Sequence, residues 1–288
     1  MKSVKNSISK NEIKGNFFVL LAALFWSTGG ILLKYTVGNV LAINGFRSIF
    51  AYLFFVIYRK NFKIKLNKNN ILAGLALLAT NILFVTANKT TTAANAIVLQ
   101  YIAPVLVLLW YCIYYKKKPR AIQIAAEIMA MAGMVLFFFD SLDAGQILGN
   151  ILAIVSGITY SLFFFIDSLP DTSGDDACML TFLASIAIGL PFTGSLFGEG
   201  SSAVSLIMLP VIGFMQLGLP HACYAYGCKL TSPVTSSLIC LVEAILNPLW
   251  VFIFYGEAVG RFALIGAVII IAAVVINILS SAKKPQTD

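Results

Sequence analysis

Long apolar segments, separated by short polar stretches, follow one another along almost the whole chain. Apolar and polar residues do not alternate within them, as they would in barrel strands, so the pattern predicts helices. Each segment is close to the roughly 20 apolar residues that a helix needs to cross about 30 Å of hydrocarbon. The ten predicted transmembrane helices lie near residues 15–35, 39–58, 70–88, 93–115, 120–139, 147–167, 176–197, 204–227, 232–255 and 261–281.

The composition agrees with a protein that faces lipid. Hydrophobic residues make up 59% of the chain and charged residues only 11%, which leaves too little polar surface for a soluble domain. The first apolar segment is too long for a cleavable signal peptide and has no small-residue cleavage pattern, so we expect the mature protein to keep it. The sequence therefore predicts an all-α integral membrane protein of the cell membrane.

The second half of the sequence repeats the first. Residues 87–136 align without a gap with residues 227–276. The identical pairs are Lys89/Lys229, Thr91/Thr231, Leu106/Leu246, Leu109/Leu249, Trp110/Trp250, Ile113/Ile253, Tyr115/Tyr255, Ala132/Ala272 and Val135/Val275. A weaker similarity links Gly15-Asn16 with Gly149-Asn150 and Trp26-Ser27 with Tyr160-Ser161. The chain is therefore interpreted as an internal duplication.

Each half holds five predicted helices, an odd number, so the second half enters the membrane from the face opposite to the first. We predict a cytoplasmic segment at 1–14, a first five-helix repeat at 15–139, a second, inverted repeat at 147–281 and a cytoplasmic tail at 282–288. Inverted repeats are typical of transporters that work by alternating access, with substrate bound near the membrane midplane between the halves.

The basic residues indicate the orientation of these helices. Sixteen of the twenty Lys and Arg residues fall on one side of the predicted bundle and three on the other. By the positive-inside rule, both termini are expected to be cytoplasmic. The net charge of +8 is explained by this bias, and we expect no nucleic-acid partner, although recruitment of another anionic partner is an alternative. The five cysteines show no metal-ligand spacing, so no metal and no cofactor are expected.

The sequence contains few features that indicate an enzyme. It has no HExxH, no Gly-x-Ser-x-Gly, no P-loop, no pair of catalytic carboxylates and a single histidine. The expected class is therefore a transporter and not an enzyme. A channel, a receptor or a membrane scaffold are the alternatives from other classes, and saturable exchange flux distinguishes a carrier from a pore.

The ends of the two halves resemble a known family. The motif residues are Lys89-Thr90-Thr91, Lys229-Leu230-Thr231, the segment Glu243-Ala244-Ile245-Leu246-Asn247-Pro248-Leu249-Trp250, Gly256-Glu257, Trp26-Ser27 and Arg47. The chain resembles the drug/metabolite transporter superfamily and, within it, the ten-span EamA-type carriers. It departs from the family pattern at Lys116-Lys117, where Gly-Glu is frequent, and at Ala244, where Pro is frequent.

This resemblance implies a carrier of small polar metabolites that needs no cofactor. Amino-acid-like compounds come first as cargo and organic cations such as quaternary amines second, with efflux as the commoner direction. The implied partners are a small-molecule substrate, the lipid bilayer and, as a possibility, a second copy in a homodimer.

The ninth predicted helix carries a polar face. Ser236, Cys240, Glu243, Asn247 and Trp250 share it by helical spacing. The equivalent residues of the first half are Ala96, Gln100, Ala103, Val107 and Trp110, which are mostly apolar, so we expect an asymmetric site. Since an ionisable residue at membrane depth costs at least ~2.5 kcal/mol, Glu243 is expected to face a partner or a wet cavity. Two roles stay open for it: binding or proton coupling, and structural bracing.

The other candidate substrate-binding residues are polar or aromatic positions near the middle of predicted helices. They are Trp26, Asn81, Gln100, Tyr101, Tyr160, Gln216, His221 and Tyr224. His221 is either a proton relay or a satisfied structural residue. The aromatic residues, with Trp250, either form a cage for a cation or ring, or serve packing.

Two further charged residues are given structural roles. Arg47 lies near the outer end of the second helix, within reach of the membrane interface, and we expect a structural or interfacial role for it, with contact to an anionic substrate as the alternative. Glu127 is expected to pair with the nearby basic cluster at 116–120. Pro104, Pro220 and Pro248 are expected to kink their helices or to free carbonyl groups.

Overall fold

The computed structural model of the chain describes residues 9–29, 32, 35–91, 93–139, 146–198, 201–255 and 260–281. Within these ranges the chain forms helices, turns and loops, with no strand. Ten helices, α1 to α10, follow one another in the part that is described. They are α1 Lys10–Trp26, α2 Val40–Arg59, α3 Lys68–Thr90, α4 Ala93–Gln100 with Ala103–Tyr115, α5 Ala121–Phe137, α6 Ile147–Ser168, α7 Gly174–Gly189 with a 3-10 extension Leu190–Phe197, α8 Ala203–Gly227, α9 Pro233–Cys240 with Val242–Tyr255, and α10 Arg261–Ser281.

Seven helical stretches of the described residues are long and apolar enough to cross a membrane. They are Val40–Arg59, Lys68–Ala87, Asn95–Tyr115, Ile147–Ser168, Gly174–Phe197, Ala203–Gly227 and Arg261–Ser280. Ala121–Phe137 and Pro233–Leu246 are shorter apolar helices. The predicted helical, membrane-type architecture is confirmed, whereas ten spans in two inverted repeats stay a prediction.

The first helix begins earlier than the sequence pattern predicts. Ser9 caps it, with its Oγ accepting a hydrogen bond from the Glu12 backbone N–H at 3.0 Å, so the helix starts at Lys10 and not near residue 15. It ends at Trp26, and the next hydroxyls bond back to its last turn: Ser27 Oγ donates to the Leu24 carbonyl at 2.6 Å. Part of the predicted segment beyond this turn lies outside the described residues.

Helices α4 and α9 are interrupted at equivalent positions. The break in α4 falls at Tyr101 and Ile102, because Pro104 lacks the N–H that would bond the Gln100 carbonyl. The break in α9 falls at Leu241, where the backbone makes i to i−3 hydrogen bonds to either side. A kink was expected at Pro104 of α4, whereas the break at Leu241 was not expected. The repeat alignment sets Tyr101 opposite Leu241.

Helix α8 changes geometry in its middle. Residues Gly213–Gly218 form a π-helical segment, two residues before Pro220. Proline at 220 cannot bond the Gln216 carbonyl, and the wider turn accommodates that missing donor. Pro220 was expected to kink α8 or to free a carbonyl group, and in the structure the π segment lies just before it.

The two halves interlock, and their contacts come in equivalent pairs. Helix α3 packs on α6 and α7, and α8 packs on α1 and α2. Helix α4 packs on α6, as α9 packs on α1, and the pairs α2 with α7, α4 with α9 and α5 with α10 also touch. Shifting every helix number by five reproduces this set of contacts. The core of the protein is therefore mainly the interface between the halves.

Glycines allow the closest of these contacts. A Cβ at Gly45 of α2 would lie 2.8 Å from the Cα of Gly189 in α7, and a Cβ at Gly133 of α5 would lie 3.0 Å from the Gly266 carbonyl of α10. Only a residue without a side chain permits such backbone approach between helices.

Several helix ends meet at one face of the bundle, which we call the basic face. Arg59 at the end of α2 forms an ion pair with Asp176 at the start of α7, with Nη1 and Oδ1 2.7 Å apart. Lys14, near the start of α1, lies over the ring of Tyr226 at the end of α8, 5.0 Å from its centroid. Helix α1 therefore begins at the basic face.

Other helix ends meet at the opposite face. The backbone N–H of Asn39, just before α2, donates to Ser195 Oγ at 2.9 Å. Thr91 at the end of α3 donates from Oγ1 to Asn150 Oδ1 in the first turn of α6 at 2.8 Å. Helix α6 therefore begins at the opposite face, whereas its counterpart α1 begins at the basic face.

Candidate functional site

Glu243 lies at the first turn after the break in α9 and contacts the break in α4. The hydroxyl of Tyr101 donates to Glu243 Oε2 at 3.4 Å, a long contact between the two halves. Tyr101 is buried and Glu243 is half-buried. The two interrupted helices, which are equivalent in the repeat, thus bring a phenol and a carboxylate together inside the bundle.

Two further groups lie within electrostatic range of this carboxylate. The Tyr160 hydroxyl of α6 and the Cys240 thiol of α9 lie close enough to interact with its charge. The ring of Tyr160 packs on Phe164, with centroids 4.1 Å apart. Glu243 is therefore at one edge of a group of aromatic side chains.

That group forms a continuous layer of rings from α1, α6 and α8, which we call the aromatic layer. Phe164 contacts Tyr224 at 4.9 Å between centroids, and Tyr224 contacts Trp26 at 5.7 Å. Trp26 meets the imidazole of His221 edge to face at 5.1 Å. Of the aromatic residues predicted from the sequence, the structure brings Trp26, Tyr160 and Tyr224 into this layer.

His221 is fixed within the aromatic layer. Its Nδ1 lies 2.7 Å from the Leu217 carbonyl, which only accepts, so Nδ1 carries the hydrogen. Phe182 packs against the ring at 5.8 Å. This arrangement agrees with the structural reading of His221, and a relay role stays a prediction.

Gln216 lies five residues before His221 of the aromatic layer. It lies in the π segment of α8, where its Oε1 accepts from Arg47 Nη1 at 3.2 Å. A Cβ at Gly29 would lie 2.8 Å from Gln216 Nε2, so the glycine makes room for this amide. In the repeat alignment Gly29 is the counterpart of Phe163 in α6, whose ring packs on Tyr224 with centroids 6.0 Å apart. The first half therefore has a glycine where the second half adds a ring.

Arg47 is buried and hydrogen-bonded, which agrees with the structural role expected for it and not with the interfacial one. Its side chain is only 5% exposed, and its guanidinium bonds Asn44 and Gln216. Helical position alone gave no sign of this, because Gln216 lies 169 residues away in sequence. Arg47 and Asn44 were missing from the predicted site.

The remaining candidate residues, Gln100, Asn81 and Asn247, have no described contact with Glu243 or with the aromatic layer. Gln100 is buried and donates from Nε2 to Ser156 Oγ of α6 at 3.2 Å, so its described bond serves the packing of α4 on α6. Asn81 is half-buried on α3, next to Thr80, whose hydroxyl lies 2.8 Å from that of Thr159. The side chain of Asn247 lies outside the described residues.

Glu127 does not pair with the basic cluster at 116–120 among the described residues. It is 2% exposed, and neither carboxylate oxygen has a hydrogen-bond partner in that part of the chain. It borders an apolar groove of about 1000 Å³ between α4, α5 and α10. No cluster of three or more metal-ligating side chains occurs in the described ranges.

The long apolar helices and the buried polar groups between them define a multi-pass membrane protein. The sequence model of the EamA-like transporter family matches the chain twice, over residues 13–139 and 147–279. The protein therefore belongs to the EamA-like transporter family, within the drug/metabolite transporter superfamily, and it is a transporter.

Similar proteins agree with this assignment. An uncharacterized transporter of Clostridium kluyveri is 27% identical, with 94% of each chain covered. An uncharacterized inner membrane transporter of Salmonella typhimurium, YicL, is 22% identical over 95% of this chain and 98% of its own. A solved crystal structure of a protein with 14% identity covers 95% of this chain and 100% of its own with a TM-score of 0.79, and supports the fold.

Proposed function

We propose that this protein is a secondary active transporter or facilitator that moves a small polar, amino-acid-like metabolite across the cytoplasmic membrane by alternating access, in the direction of efflux. The observation that carries the proposal is the contact between Tyr101 and Glu243 at the breaks of two equivalent helices. Interrupted helices that meet at the interface of two repeats are typical of substrate sites in such carriers.

The arrangement of the helix ends supports ten spans in two inverted repeats, 15–139 and 147–281. Helices α1 and α6 begin at opposite faces, as helices of inverted halves must. The basic face contains Lys14 and Arg59, so the positive-inside rule assigns this face, with both termini, to the cytoplasm. A small-molecule substrate and the lipid bilayer are the proposed partners, and a homodimer stays a prediction.

Two conformations of similar energy are expected from such halves. In the present structure, one hydrogen bond is made by a residue pair at one face but not by the equivalent residue pair at the other face. Thr91 bonds Asn150 at the opposite face, whereas the equivalent atoms at the basic face, Thr231 Oγ1 and Asn16 Oδ1, are buried without a partner among the described residues. In the alternating-access proposal, the hydrogen bond is made at one face in each conformation.

Glu243 is the proposed site for the cationic part of the cargo and the candidate for proton coupling. A carboxylate partly removed from water attracts an ammonium group more strongly than it would in solution. Tyr160 lies within range of this charge, and Tyr160 leads through Phe164 to Tyr224 and Trp26 in the aromatic layer. Aromatic faces also attract cations. This neighbourhood favours a second candidate cargo, an organic cation such as a quaternary amine.

A thermal-shift screen of the purified protein tests the cargo class. Amino acids, amines, sugars and nucleosides are compared, because a ligand that binds only the folded state raises the melting temperature. We expect stabilisation by a zwitterion or cation that is lost in Glu243→Gln and retained in the matched control Glu12→Gln, which lies in the first turn of α1. Stabilisation that is unchanged in Glu243→Gln would contradict the proposed site.

A further inference from the structure

Arg47 is a buried charge that has no opposite charge beside it among the described residues. Its side chain is 5% exposed, and no carboxylate of the described residues lies within ion-pair distance of it. The ion pair found in that part of the chain joins Arg59 and Asp176 instead. A guanidinium at membrane depth is costly unless it is paired or faces water. Neutral amides alone leave its charge uncompensated.

The amides around Arg47 hold the guanidinium in a fixed orientation. Asn44 Oδ1 accepts from Nε at 3.1 Å and from Nη2 at 2.7 Å, and Gln216 Oε1 accepts from Nη1 at 3.2 Å. Since the guanidinium has five N–H groups, one N–H on each terminal nitrogen has no described partner. Through one N–H on each of its two terminal nitrogens, arginine can bind both oxygens of a carboxylate.

The position of this group ties it to the proposed substrate site. Arg47 comes from the first half and Gln216 from the π segment of the second half, and single-turn π segments in helices are frequent at functional sites. Gln216 lies little more than one turn before His221, whose ring contacts Trp26. The helix that carries Gln216 also carries His221 and Tyr224 of the aromatic layer, and Glu243 interacts with Tyr160 of the same layer. Two groups of opposite charge are therefore connected to one set of rings.

We propose that Arg47, Asn44 and Gln216 form an anion subsite that binds the carboxylate of the transported molecule. This inference rests on the proposed function, because it assigns the anionic part of a zwitterionic cargo. The guanidinium supplies the charge and two N–H donors, and the two amides keep it in place. The arriving carboxylate neutralises a charge that is otherwise unpaired in the described structure.

The first experiment compares ligands on the wild-type protein, so its result does not depend on whether a variant folds. The probes are the L-amino acid that gives the largest thermal shift among the twenty, its amide, and its decarboxylated amine. Wild-type protein is expected to bind the acid about tenfold to a hundredfold more tightly than the amide, which is the usual range for hydrogen bonds to charged groups. Equal binding of acid and amide overturns the inference, and so does the failure of every amino acid to shift the melting temperature.

Variants then assign the preference to Arg47. Arg47→Gln removes both the charge and the paired N–H donors, so we expect the acid-over-amide preference to fall to nearly one, while binding of the decarboxylated amine persists. Arg59→Gln, in the same helix, is the matched control and should keep the preference. Retention of the preference in Arg47→Gln overturns the inference.

Free anions and the transport assay separate the remaining possibilities. Acetate and inorganic phosphate are expected to give no comparable shift at the concentrations at which the amino acid binds. If acetate alone raises the melting temperature in a way that depends on Arg47, then Arg47, Asn44 and Gln216 bind a free anion. That result overturns their role in cargo recognition. Binding of the amine that depends on Glu243, together with equal binding of acid and amide, rejects the anion subsite but leaves the carrier intact. Lack of any amino-acid exchange in proteoliposomes rejects the proposed function itself.

Discussion

The indole of Trp250 in α9 donates from Nε1 to Ser27 Oγ, just after α1, at 2.8 Å. The equivalent residues make the same bond on the other side of the molecule: Trp110 Nε1 donates to Ser161 Oγ at 3.0 Å. Each bond joins one half to the other. The duplication visible in the sequence is therefore also present in side-chain contacts.

Loss of these bonds should weaken the interface between the halves. We predict that Ser27→Ala and Ser161→Ala each lower the stability by about 0.6 kcal/mol, and by no more than ~1.7 kcal/mol, the range for hydrogen bonds between transmembrane helices. The melting temperature of detergent-purified protein measures the effect. Ser168→Ala is the control, because the bond its hydroxyl makes in the described part of the chain goes to the Phe165 carbonyl of its own helix. A control that loses as much stability as the two variants would contradict the prediction.

Close packing of α2 on α7 gives a second prediction. Gly45→Ala should destabilise the protein by about 1–3 kcal/mol, because its Cβ would meet the Gly189 backbone at 2.8 Å and the helices must separate. Thermal unfolding measures the change. Gly194→Ala is a matched control, since a Cβ there has no neighbour within 4 Å. Equal stability of the two variants would show that α2 and α7 are not in this close contact.

The contact of Tyr101 with Glu243 can be tested without removing the charge. Tyr101→Phe keeps the ring but loses the hydroxyl, so we expect weaker binding of a cationic or zwitterionic ligand, by about threefold to tenfold for one hydrogen bond of ordinary strength. Isothermal titration measures the dissociation constant. Tyr111→Phe, in the same helix, should leave it unchanged. Identical constants for both variants would remove Tyr101 from the site.

Alternating access predicts opposite changes at the two faces. Cysteine pairs are placed at Thr91 with Asn150 and at Asn16 with Thr231, in a background without the five native cysteines. A bifunctional thiol reagent is then applied with and without ligand. We expect ligand to raise cross-linking at one face and to lower it at the other. Parallel changes at both faces would contradict exchange between two conformations.

The sequence predicted most of the helices because apolar length is a strong signal in membrane proteins. Helix α10 was predicted at 261–281 and is observed at Arg261–Ser281. The break in α9 was missed, since the apolar pattern continues across it. Pro104 was recognised as a possible kink in α4, whereas no proline lies at the break in α9.

The candidate site was harder to predict, because its contacts join residues far apart in sequence. Tyr101 and Glu243 are separated by 142 positions, and the repeat alignment sets Ala103, not Tyr101, opposite Glu243. Both were named as candidates from their polarity at membrane depth, but not as partners. The hydrogen bond of Arg47 was not predicted for the same reason, since its partner Gln216 belongs to the other half.

The central claim is that this protein is a carrier whose substrate site includes Glu243. Counterflow in proteoliposomes tests it most directly: radiolabelled amino acid or amine identified by thermal shift is added outside, with and without unlabelled ligand inside. We predict saturable uptake that internal ligand accelerates, that Glu243→Gln abolishes and that Glu12→Gln retains. Flux that rises linearly with concentration, is not accelerated from the far side and is unchanged in Glu243→Gln would contradict the account.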